Sequence, residues 1–115
     1  MPSSRPSDRF ADIVANIDAI GRYTAGMDES QYLSDPKTLD ATITCFMRIS
    51  EATAKLGVLA EQLAPEQSRG EIRSLGNKLR HEYDRIEPPI LWRTITRDLA
   101  SLRVACERAI QQLRS

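Results

Sequence analysis

The chain of 115 residues carries 16 Lys and Arg side chains against 16 Asp and Glu, and 41% of its residues are hydrophobic. That length supports one core and not two, and the composition is globular rather than disordered. No apolar run approaches the roughly 18 residues of a membrane span, the start Met-Pro-Ser-Ser-Arg-Pro-Ser lacks the apolar stretch of a signal peptide, and zero net charge argues against coating nucleic acid through bulk electrostatics.

Prolines punctuate the chain. Residues 1–7, rich in Ser and Pro, read as a disordered tail, leaving residues 8–115 as a single helical domain. Ser7 or Asp8 is the expected cap of a first helix, in which Phe10, Ile13, Val14, Ile17 and Ile20 keep the i, i+3/i+4 spacing. Residues 27–35 read as a connection. Asp35-Pro36 combines an N-cap with a proline at the first helical position. From there Leu39, Ile43, Phe46, Ile49, Thr53, Leu56 and Leu63 trace one face as far as Pro65. A third helix runs through Leu75, Leu79 and Ile86 to Pro88-Pro89, a pair that lacks N–H donors and clashes with the preceding turn. The last helix carries Leu91, Trp92, Ile95, Leu99, Leu102, Cys106, Ile110 and Leu113.

No segment alternates as a strand does. The expected fold is therefore all-α, an antiparallel four-helix up-and-down bundle. Cys45 and Cys106 have no metal-ligand spacing and read as buried free thiols of a cytoplasmic protein.

The neutral total hides a dipole. Residues 1–65 hold six basic against nine acidic side chains, a net −3, whereas residues 66–115 hold ten against seven, a net +3. If nucleic acid binds, the second half is where to look.

That half contains the one dense cluster of chemically capable residues, Arg73-Ser-Leu-Gly-Asn77-Lys-Leu-Arg80-His81-Glu-Tyr83-Asp84-Arg85. On a helix at about 100° per residue, Asn77, Asp84, Arg73 and Arg80 all fall within about 100° of His81, on the same side. Leu75, Ile86, Leu79 and Ile72 form the opposite, buried face, and Tyr83 stacks over Gly76 at the seam. A polar stripe on a bundle helix is usually a solvated face. Against that, Asn and Gly cost up to about 1 kcal/mol each in mid-helix relative to Ala, and here they sit together.

At these residues the sequence resembles the HepT-like branch of the HEPN superfamily. The resemblance rests on Asn77-x-x-x-His81-x-Tyr83 with the preceding Ile-Arg-Ser-Leu, on Trp92 early in the next helix, and on Ile49-Ser-Glu-Ala-x-x-x-Leu56. It runs from about Phe10 to Leu113. It implies a HEPN-like toxin that cleaves RNA without metal or cofactor and acts as a homodimer with the active site at the dimer cleft. It also implies an antitoxin partner, a minimal nucleotidyltransferase of the MNT type in a type VII-like toxin–antitoxin system, which can transfer AMP to the motif tyrosine, here Tyr83.

The residues suit that chemistry. RNA cleavage needs a group that moves the 2′-OH proton, and a histidine with a pKa near 6.5 does so at cellular pH. It also needs a cation beside the developing phosphorane, which a planar guanidinium supplies by pairing with two phosphate oxygens. Asn77, one turn before His81, positions the phosphate or the imidazole. The family's motif places an arginine directly before the asparagine, and here that position is Gly76. Two readings follow. Either Arg80 or Arg73 supplies the cation, with Gly76 leaving room beside Tyr83, or the chain is a degenerate subunit that binds a nucleotidyltransferase without cleaving RNA. Trp92 reads as a packing anchor. Arg93 and Arg97, one turn apart, are solvated or extend a phosphate-binding surface.

Overall fold

The computed structural model describes residues 5–63 and 86–114, all of them in helices or short links. Among the described residues six helices follow in chain order: α1 (Pro6–Thr24), α2 (Glu29–Leu33), α3 (Pro36–Leu56), α4 (Val58–Leu63), α5 (Pro88–Arg97) and α6 (Leu99–Arg114). Among the described residues there is no strand. The all-α expectation holds. The third expected helix falls on residues outside the described ones, as do residues 1–4.

Helix α1 starts earlier than the Ser7 or Asp8 cap would set it. Arg5 is extended at the N-cap position and Pro6 opens the helix. Proline is favoured there because its fixed φ suits the helix and its missing N–H would have had no partner. Asp8 instead lies in the first turn, where a carboxylate meets the positive end of the helix dipole.

Residues 27–35 are not a plain connection. Asp28 caps α2 by accepting from the Gln31 amide at 2.8 Å, while the Gln31 side chain accepts from the Asp28 amide at 2.9 Å. This reciprocal capping box nucleates a helix of five residues. Asp35 then caps α3 through the Thr38 amide and hydroxyl, at 3.3 and 2.9 Å, as the Asp35-Pro36 signal requires.

The long second helix expected as far as Pro65 is divided at Gly57. Its φ of +58° with ψ of −131° is a conformation that side chains with a Cβ rarely adopt, so the chain turns there before α4. The last helix is likewise divided, at Asp98, although the i to i−4 ladder continues through it. The Thr94 and Thr96 hydroxyls donate back to the carbonyls of Ile90 and Trp92, a pattern that bends helices.

The core lies where α1 packs against both α3 and α6. Phe10, Ile13, Ile17 and Ile20 meet Phe46 and Ile49 of α3 and Leu102, Cys106 and Ala109 of α6, all nearly inaccessible to solvent. Each large side chain removed from water this way contributes about 1.5–3 kcal/mol.

Candidate functional site

Arg73, Gly76, Asn77, Arg80, His81, Tyr83 and Asp84 lie outside the described residues. What is described is the frame on either side of them. The stretch follows α4 (Val58–Leu63), and the described chain resumes at Ile86 and Glu87 before α5. Pro88 and Pro89 open α5, so the break expected there is a helix start with proline in the first turn.

One junction fixes the start of α5. Tyr32 of α2 is fully buried, and its ring sits 5.1 Å from that of Trp92, tilted by 36°. The Tyr32 hydroxyl lies 2.8 Å from the hydroxyl of Thr42, which itself donates to the Leu39 carbonyl at 2.9 Å. Because Thr42 has a single O–H, Tyr32 is the donor of the shared bond. Burial pushes the Tyr32 phenol up from its ordinary pKa, which keeps that proton in place. Trp92 thus ties α5 to α2 and, through Tyr32, to α3. Arg93 and Arg97 are both exposed on the outer side of α5.

A groove of about 210 Å³ separates the flanks of α1 and α3. Arg9, Asp12 and Asn16 line one wall, and Arg48, Glu51, Ala52 and Lys55 the other. Each set recurs at three- and four-residue intervals, which places it along one edge of its helix. Arg9 pairs with Asp12 at 3.2 Å, its side chain 15% exposed against 53% for the aspartate. Lys55 lies 3.8 Å from Glu51, and both are exposed. The groove escapes a reading of either helix alone, because it depends on which two flanks face each other. The spacing of Arg48 and Lys55, seven residues apart, is its one trace in the sequence.

Both cysteines are buried and free. Burial raises the Cys45 thiol, and it pushes Cys106 up to about 12. Among the described residues no three His, Cys, Asp or Glu side chains are grouped to hold a metal ion, and none of the helices is long and apolar enough to cross a membrane.

The family model described as "Ribonuclease HepT-like" matches residues 13–109. The chain belongs to the HepT-like family. That match spans nearly the whole described core and the stretch between α4 and α5. Among the relatives of this HepT-like chain is "Probable ribonuclease HepT" of Thermococcus cleftensis, 30% identical over 101 residues, 88% of this chain and 92% of the relative. Another, from Methanocaldococcus jannaschii and named "Putative RNase", is 24% identical over 102 residues, 89% of this chain and 88% of the relative. No solved structure matches the chain significantly.

Proposed function

We propose that this HepT-like chain is the ribonuclease toxin of a toxin–antitoxin pair, cutting RNA without a metal ion in the cytoplasm and acting as a homodimer. The observation that carries the reading is the family match across residues 13–109, which includes the Asn77-x-x-x-His81-x-Tyr83 stretch. In this reading His81 takes the proton from the 2′-OH and returns one to the leaving 5′-oxygen, roles open to an imidazole near neutral pH. Arg80 or Arg73 neutralises the charge that gathers on the phosphorus centre, and Asn77 orients the phosphate. Loss of such a charge-stabilising group costs about 10²–10³ in rate in enzymes where it has been tested.

Tyr83 is the regulatory residue. An MNT-type nucleotidyltransferase antitoxin transfers AMP from ATP to its hydroxyl, the α–β phosphoanhydride breaking and pyrophosphate leaving. This places an anionic phosphodiester near His81 and the arginines and repels the RNA backbone. The decisive experiment incubates the purified full chain with RNA in the presence of EDTA, comparing His81 with His81→Ala. Cleavage that survives EDTA and is lost in the variant supports the reading, and an intact chain that leaves every RNA uncut overturns it.

Gly76, in the place of the motif arginine, favours one second reading, a non-cleaving subunit whose polar stripe binds a nucleotidyltransferase. That subunit would bind its partner and leave RNA intact.

A further inference from the structure

The groove between α1 and α3 has an uneven distribution of charge. Its lining holds three cations, Arg9, Arg48 and Lys55, against two carboxylates, Asp12 and Glu51. The carboxylates, with side chains 53% and 69% exposed, stand at the rim together with Lys55 at 53% and the exposed Arg48, where water and salt screen all four. The most deeply placed charge is the Arg9 guanidinium, 15% exposed, and its buried Nε has no hydrogen-bond partner. A buried donor without a partner is costly to leave unmade, so this guanidinium, paired with Asp12 through Nη2 alone, has an Nε–H open to a further acceptor. Arg48 forms no ion pair with any described residue. Asn16 donates one amide N–H to the Asp12 carbonyl at 2.8 Å, and its second N–H is a further donor in the lining. The deepest charge of the groove is therefore a guanidinium with a donor to spare, the group that receives a phosphate.

A second feature selects a strand over a free phosphate. Tyr23 is 47% exposed and lies seven residues beyond Asn16, almost in line with Arg9 and Asn16 on the same edge of α1. From Arg9 to Tyr23 the helix advances about 21 Å, the length of a few nucleotides rather than one. Backbone cations followed by an exposed aromatic ring match the way single strands are held, phosphates in a basic groove and bases on a ring face.

We propose that the α1–α3 groove is a track for a single RNA strand, with Arg9, Arg48 and Lys55 on the phosphates and Tyr23 stacked on a base. The proposal rests on the ribonuclease reading for its choice of RNA. It assigns nucleic-acid binding to the half of the chain whose net charge is negative, because the local floor of the groove, not the sum, meets the backbone.

The test uses the full chain carrying His81→Ala, so that RNA stays intact, and a fluorescein-labelled single-stranded RNA read by anisotropy at several salt concentrations. Arg48→Gln with Lys55→Gln, both at exposed positions, is expected to weaken binding about 3–10-fold and to lower the salt slope by about 0.7 for each phosphate that is no longer neutralised. Tyr23→Ala weakens it about tenfold with the slope unchanged. Asp12→Asn, which removes a rim carboxylate, tightens it. Affinity and slope unchanged in all of these, with native circular dichroism, overturn the track. Displacement of the RNA by AMP or inorganic phosphate at matched phosphate concentration overturns the strand assignment in favour of a mononucleotide site. In the His81 chain the groove variants raise KM and leave kcat alone. Cleavage with an unaltered KM removes the track and keeps the ribonuclease, whereas RNA binding through the groove with no cleavage removes the ribonuclease and keeps the track.

Discussion

Arg103 of α6 holds Asp18 of α1 with two parallel hydrogen bonds, Nε to Oδ1 at 2.8 Å and Nη2 to Oδ2 at 3.2 Å. The residues are 85 positions apart, so this fork joins the beginning of the chain to its end. Glu107, one turn on and 3.6 Å from Nη1, helps hold the guanidinium in place.

The pair gives a pH-dependent contribution to stability. Hydrogen bonding from Arg103 keeps the Asp18 carboxyl below its ordinary pKa, ahead of the smaller opposing effect of burial. A carboxylate lowered in the folded state stabilises fully above its unfolded pKa and loses that contribution as pH falls through the folded value. Both side chains are about two-fifths exposed, so solvent screening keeps the effect small. Asp18→Asn is expected to lower Tm by about 2–4 °C at pH 7. Thermal unfolding at pH 7 and at pH 2 checks this: the gap between variant and wild type closes at the acid end, and it narrows in 1 M salt.

The junction of Tyr32, Thr42 and Trp92 predicts a graded pair of losses. Tyr32→Phe keeps the ring against Trp92 and removes one buried hydrogen bond, for about 0.5–1.5 kcal/mol. Trp92→Ala removes the ring and leaves a void beside Tyr32, for about 2–4 kcal/mol. Because Trp92 is the one tryptophan of the chain, its fluorescence during urea unfolding of Tyr32→Phe reports on this junction directly. A midpoint equal to that of wild type would show that the hydroxyl bond contributes nothing.

Much of the described fold is legible in the sequence, for a definable reason. Phe10, Ile13, Val14, Ile17 and Ile20 are the buried face of α1, and Leu99, Leu102, Cys106 and Ile110 that of α6, because a helix with one apolar stripe has one way to hide it. Short-range backbone chemistry is harder to read. The capping box from Asp28 to Gln31 is written in two residues, inside a stretch whose polarity otherwise says loop. Gly57 divides a helix whose apolar period runs on undisturbed, because a positive φ leaves no mark in a hydrophobic pattern. The α1–α3 groove is a property of two flanks brought together, so neither helix announces it. His81, Asn77, Arg73, Arg80 and Tyr83 are outside the described residues and stand on their motif and on the family match.

The two thiols are expected to be inert in the folded chain. Burial is the largest cause of both shifts, and with Cys106 near 12 only about one part in 10⁴ is thiolate at pH 8. Reaction with an aromatic disulfide reagent at that pH should therefore be slow for both cysteines and become fast for both in denaturant. Rapid modification of either thiol without denaturant would show that the packing of α1 on α3 and α6 opens readily.

The sharpest prediction concerns the glycine that stands where the motif arginine belongs. If a neighbouring guanidinium takes over, Arg80→Ala with Arg73→Ala abolishes RNA cleavage and toxicity, with a fall of about 10²–10³ in rate for the residue that touches the phosphate. Single variants show which arginine acts, since the other alone leaves the rate close to wild type. Tyr83→Phe separates regulation from catalysis, because it removes the acceptor hydroxyl and keeps the ring: the variant stays toxic and escapes the antitoxin. A doubly substituted chain that still cuts RNA excludes both arginines, and rescue of Tyr83→Phe by the antitoxin at full strength excludes Tyr83 as the acceptor.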